Sequence, residues 1–143
     1  LRSPQATRPW QFVLEAVWGY LLLGENLLQY GGDFSGAWNF GPEPENCVTV
    51  EELTKKALNL LGESDYLISQ AQLPKEEQLL ILDNQKAKNL LKWTPILTTD
   101  ELLSFTFEWY KKFYQGCDME DFTLSQMVSF YNKIKNNGEQ RAN

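Results

Sequence analysis

Trp10-Gln11-Phe12-Val13-Leu14-Glu15-Ala16-Val17-Trp18-Gly19-Tyr20-Leu21-Leu22-Leu23 is the stretch whose reading decides the fold. Its first four residues alternate in polarity and predict a short strand. From Leu14 to Tyr30 the apolar positions Leu14, Val17, Trp18, Leu21, Leu22, Leu27 and Leu28 recur at helical spacing. Gly31-Gly32 ends that helix, since glycine readily takes the left-handed cap conformation. Gly19 lowers the helix propensity, and it either admits a close neighbour or is simply tolerated.

Outward from this helix, Ala37-Trp38-Asn39-Phe40 predicts a short buried strand stopped by Gly41-Pro42. Thr49 and Glu52 form a capping box, with Val48 and Leu53 as its hydrophobic staple, and open a helix to Leu61 that Gly62 ends. Tyr66-Leu67-Ile68 and Leu79-Leu80-Ile81-Leu82 read as further short strands around a polar loop. Asp83 caps a helix through Leu91, closed by Lys92-Trp93-Thr94-Pro95 because the residue before proline avoids helical angles. A second box, Thr98 with Glu101, opens a helix that Gly116 ends. A third, Thr123 with Gln126 and a Phe122/Met127 staple, opens a last helix to about Lys135. Residues 136–143 read as a frayed polar tail. The sum is a helix-rich α+β domain over residues 1–135, with about five helices and a few short strands. Those strands are too few for a free-standing parallel sheet, so the module leans on another domain.

Composition narrows the function. The 143 residues suit one domain, and 13 basic against 19 acidic residues give a net charge of −6. That balance argues against a nucleic-acid binder, which needs a basic surface. Histidine is absent, which removes the usual general base and the commonest zinc ligand. Cys47 and Cys117 read as two reduced thiols, consistent with a cytoplasmic protein. The apolar run Val17–Leu23 is too short to span a membrane. The opening Leu1-Arg2-Ser3-Pro4 is neither a signal peptide nor an initiating methionine and reads as the start of a fragment.

No chemistry announces itself from the residues alone. There is no G-x-G-x-x-G and no P-loop. Glu43, Glu45, Glu51 and Glu52 read as a solvated loop and a first helical turn, where acids favour the positive end of the dipole. Tyr110, Tyr114 and the pair Tyr131 and Lys135 are set aside as catalytic groups. Trp18, Trp38, Phe105, Trp109 and Phe113 read as core rather than as a stacking platform. Arg8, just ahead of Pro9-Trp10, is the residue best placed to grip a diphosphate bidentately, although by its pattern alone a surface arginine is the default.

Arg8-Pro9-Trp10-Gln11-Phe12-Val13-Leu14-Glu15, then Gly19-Tyr20-Leu21-Leu22-Leu23, closely resembles a segment of CDP-glucose 4,6-dehydratases, which are extended short-chain dehydrogenase/reductases. Further blocks follow in the same order: Ser35–Pro42, Leu80–Asp83 with Lys86-Ala87, Leu91–Pro95, Glu108-Trp109-Tyr110, Tyr114-Gln115-Gly116, Asp118-Met119 and Phe122-Thr123-Leu124. The resemblance is to the C-terminal half of such enzymes. Their N-terminal half is a Rossmann domain with the NAD loop and a catalytic Tyr-x-x-x-Lys. There the sugar is oxidised at C4, water leaves across C5–C6 and hydride returns to C6.

The resemblance therefore implies a substrate-binding portion that is not catalytic alone, with no catalytic, cofactor-binding or metal residue of its own. It implies Arg8 on the substrate diphosphate, Trp10 and Gln11 shaping the pocket, and Lys75 and Glu76 in a loop that meets the nucleoside. Leu73 stands where related enzymes carry arginine, and Phe12 where histidine is usual. The implied partners are a sugar nucleotide such as CDP-glucose, the protein's own Rossmann domain and a second copy of the chain. A reading of a different class is a stand-alone module that binds a sugar nucleotide or a partner without catalysis.

Overall fold

The computed structural model describes residues 1–69 and 77–141, with side chains as far as residue 138. Helices dominate, and one two-stranded ladder joins them, so the helix-rich α+β expectation holds. Strand β1 (Thr7–Arg8) pairs antiparallel with β2 (Val48–Thr49), Thr7 opposite Thr49 and Arg8 opposite Val48. Helix α1 spans Val13–Tyr30, α2 Val50–Leu61, α3 Thr99–Tyr114 and α4 Met119–Arg141. Short 3-10 turns at Gly31–Phe34 and Pro44–Asn46 and a π-helical turn at Ala87–Leu91 complete the elements.

Local chemistry sets the starts of α2 and α3. Thr49 Oγ1 accepts the Glu52 N–H at 3.1 Å while Glu52 Oε2 accepts the Thr49 N–H at 2.9 Å. Thr98 and Glu101 repeat this reciprocal pattern at α3, so two orphan donors are satisfied at each start. Asp83 Oδ1 accepts the Gln85 N–H at 2.9 Å and caps the turn that follows.

The third box is corrected. Helix α4 starts four residues before Thr123, where Asp118 Oδ1 accepts the N–H groups of Glu120 and Asp121. Thr123 and Gln126 then lie inside the helix and face α3: Thr123 Oγ1 accepts the Trp109 indole N–H at 2.9 Å, and Gln126 Nε2 donates to the Phe105 carbonyl at 2.8 Å. The helix also continues past Lys135 to Arg141; residues 142–143 lie outside the described residues.

The strand readings are corrected as well. Trp10–Val13 forms no strand; β1 lies two residues earlier and α1 starts at Val13. Neither Ala37–Phe40 nor Tyr66–Ile68 forms a strand, and Leu79–Leu82 contributes one parallel bridge, Leu79 to Thr7. Each has strand-like composition, but a ladder needs a neighbouring backbone, which these segments largely lack among the described residues.

Two apolar clusters form the core. Phe12, Leu97, Leu102, Leu103 and Phe130 make one, and Phe40, Ala87, Leu91 and Trp93 the other, with Trp18 packed against both. Trp93 is fully buried, and its indole N–H donates to the Glu15 carbonyl at 3.1 Å. Gly19 is where the Phe40 ring meets α1, so the close neighbour is a side chain.

Candidate substrate-binding site

Arg8 ends β1 and is half-buried. Its Nη1 donates to the Thr7 carbonyl at 2.9 Å and to the Glu77 carbonyl at 3.0 Å. The first contact ties the guanidinium to its own strand and the second to a residue 69 positions further along the chain. Trp10 is fixed to the same ladder, its indole N–H donating to the Val48 carbonyl at 3.0 Å. The structure thus brings Arg8 and Trp10 together at the β1–β2 ladder, on groups whose rotamers are set by hydrogen bonds.

Gln11 lies apart from them in its contacts. It lines a cavity of about 360 Å³ between the start of α1, α3 and α4, with Phe12, Leu14, Trp109, Thr123 and Gln126. Its Nε2 is buried and makes no hydrogen bond. Lys75 and Glu76 lie outside the described residues.

Beside β2, the Glu51 carboxylate receives Lys55 at 2.8 Å and also takes hydrogen bonds from Tyr66 and Gln5. Lys55 and Tyr66 hold Glu51 below the usual carboxylate range, and Glu51 in turn pushes the Tyr66 phenol up. Cys47 and Cys117 are both free thiols; burial pushes the Cys47 thiol up, and it is no activated nucleophile.

Glu15 went unnoticed in the sequence. It is 1% exposed, and its Oε1 accepts the N–H groups of Ile96 at 2.7 Å and Leu97 at 2.9 Å. Burial raises its pKa, the two amides pull it down and the nearby Glu101 raises it. The available signal was its place on the inward face of α1, one turn before Trp18 and Gly19.

Tyr131 and Lys135, set aside above, do stand at Tyr-x-x-x-Lys spacing on α4. Their surroundings argue against a catalytic pair: Tyr131 is 59% exposed, and the Lys135 ammonium stands 5.9 Å from its ring centre. Among the described residues no group of three or more His, Cys, Asp or Glu could hold a metal ion, and no helix is long and apolar enough to cross a membrane.

No family model matches the chain. A CDP-glucose 4,6-dehydratase of Salmonella typhimurium is 38% identical to it over 120 residues, a match covering 83% of this chain. The match covers 33% of that enzyme, so the chain spans about a third of the relative's length. Sequence blocks and measured identity agree, and along most of its length this chain is similar to CDP-glucose 4,6-dehydratase.

Proposed function

We propose that this chain is the substrate-binding portion of an NAD-dependent sugar-nucleotide 4,6-dehydratase that converts CDP-glucose to CDP-4-keto-6-deoxyglucose, and that it is not catalytic alone. The observation that carries the reading is Arg8, anchored by two backbone carbonyls and flanked by an anchored Trp10. An arginine held in this way meets a diphosphate with little loss of rotamer freedom. Trp10 and Gln11 shape the pocket, as the family resemblance implies. Lys75 and Glu76 serve the nucleoside end, as the family resemblance implies.

The chain's own residues do not fit NAD. No G-x-G-x-x-G stands in the sequence, and the only ladder among the described residues is two residues long. A dinucleotide site needs a strand feeding a glycine-rich turn and a helix, so the cofactor belongs to the remainder of a longer protein. The outer face of α1 supports such a partner: Val13 is 63%, Leu21 68% and Leu28 91% exposed. An apolar face of this kind commonly marks an association site. It fits the protein's own Rossmann domain and, in that domain's absence, a second copy, in a cytoplasmic homo-oligomer.

Calorimetric titration with CDP-glucose tests the reading, with Arg8→Ala as control. Binding by the wild-type chain that weakens about tenfold or more in the variant is expected. Equal affinity in the two chains would remove Arg8 from the site, and no binding by the wild-type chain would overturn a preformed half-site.

A further inference from the structure

Two lysines stand one turn apart where the backbone leaves ordinary helix. Ala87–Leu91 forms a π-helical turn, and Lys92, which ends it, is the one non-glycine with positive φ (56°) among the described residues. That conformation crowds a β-carbon and favours glycine. Both departures collect at functional positions. Here they set Lys88 and Lys92 on one pocket of about 340 Å³, floored by Trp18, Ile96 and Ile134 and edged by Asn137.

The two ammonium groups differ. Lys88 is matched by Glu43 at 2.6 Å. Lys92 donates to the Asn89 carbonyl at 2.9 Å, and no carboxylate pairs with it among the described residues. A lysine carries three N–H donors, so Lys92 keeps donors for an incoming acceptor. The pocket joins an unmatched positive charge to an apolar floor, and it shares no residue with Arg8, Trp10 or Gln11.

We infer that this pocket binds a small organic monoanion, with its carboxylate or equivalent oxyanion on Lys92 and its apolar body against Trp18, Ile96 and Ile134. The inference is independent of the sugar-nucleotide reading. Lys92 occupies a position that suits glycine better, and a charge-bearing role accounts for a lysine there. Glu43 neutralises Lys88 and so limits the site to one negative charge.

Benzoate is the probe, with uncharged benzamide as its isostere, titrated into the chain and followed by proton–nitrogen NMR at the Trp18 indole and the Lys92 amide. Lys92→Asn removes the charge while keeping a residue that tolerates the left-handed backbone. Benzoate is expected to shift both signals, with benzamide and the variant each about tenfold weaker. The variant's melting temperature should stay level or rise. Equal shifts by benzoate and benzamide would overturn the inference, as would shifts at Lys92 without Trp18, or full binding by Lys92→Asn. The wild-type comparison of the two probes decides the matter even if the variant fails to fold.

Discussion

Phe40 occupies the space that a side chain on Gly19 would need: a β-carbon there would stand 2.4 Å from Phe40 Cδ1. The ring cannot easily retreat, because it packs edge-on against Trp93 at 5.1 Å and is itself buried. Gly19→Ala gains about 1 kcal/mol of helix propensity but overpacks this contact by about 1–3 kcal/mol. The expected outcome is a net loss of stability, seen as a melting temperature lower by a few degrees. Phe40→Leu should recover part of it, so a double-mutant cycle in denaturant will show coupling between the two positions. Simple additivity would mean that the ring moves aside freely.

Glu15 should make stability pH-dependent in the direction opposite to most carboxylates. Burial holds its native pKa above the ordinary 4.5, so within that window the native state binds more protons than the unfolded chain. Its contribution is therefore fully present below the ordinary value and is lost as pH rises through the native value. Glu51 and Glu101 slope the other way: Glu51 is held down by Lys55 and Tyr66, and at Glu101 the hydrogen bonds from Lys133 and Thr98 outweigh burial. The readout is thus the difference between wild type and Glu15→Gln in urea at several pH values, with wild type relatively more stable in acid. A flat difference would exclude a raised native value. Glu15→Ala, which strands the Ile96 and Leu97 amides, should cost about 2–4 kcal/mol, and most in acid, where the Glu15 contribution is fully present.

Thr123 and Asp118 should divide the roles that the third capping pattern had given to one residue. Asp118→Ala removes the cap of α4 and is expected to cost about 1 kcal/mol. Thr123→Val leaves the Trp109 indole N–H without its acceptor and is expected to cost about 1–3 kcal/mol. The Trp109 indole proton, resolved by NMR, should shift strongly in Thr123→Val and little in Asp118→Ala. The reverse pattern would restore Thr123 as the cap.

What was legible in the sequence follows the range of the interactions. Thr49/Glu52 and Thr98/Glu101 were readable because a capping box closes within four residues. Thr123/Gln126 has the same spacing, but Asp118 starts the helix first, and the hydroxyl and amide go to Trp109 and Phe105 on α3. The strands failed for the same reason: Ala37–Phe40 has the composition of a strand, yet a ladder depends on a distant neighbour. At the candidate site Arg8 stands out beside Pro9-Trp10, but the family resemblance, not its pattern, raises it above an ordinary surface arginine. Its anchor on Glu77 comes from 69 positions away, and Gln11 turns into a cavity lined by Trp109 of α3 and Gln126 of α4, farther still along the chain. Glu15 passed unread because its two amide donors lie 81 and 82 positions away.

The outer face of α1 should govern association of the chain. Val13, Val17, Tyr20, Leu21 and Leu28 are all exposed and recur on one side of the helix, opposite the buried Glu15 and Gly19. Gly24 leaves a notch in that face, where nothing would touch an added β-carbon. Apolar surface of this extent is expected to draw a second copy when no other domain covers it. Light scattering should then report concentration-dependent association of the wild-type chain. Leu28→Glu places a charge on a side chain that is 91% exposed, so it should weaken association with a change in melting temperature of no more than about 1 °C at dilution. A monodisperse wild-type monomer would show that this face needs no partner. Association unchanged in Leu28→Glu would move the contact to the exposed rings of Phe113 and Tyr114 at the end of α3.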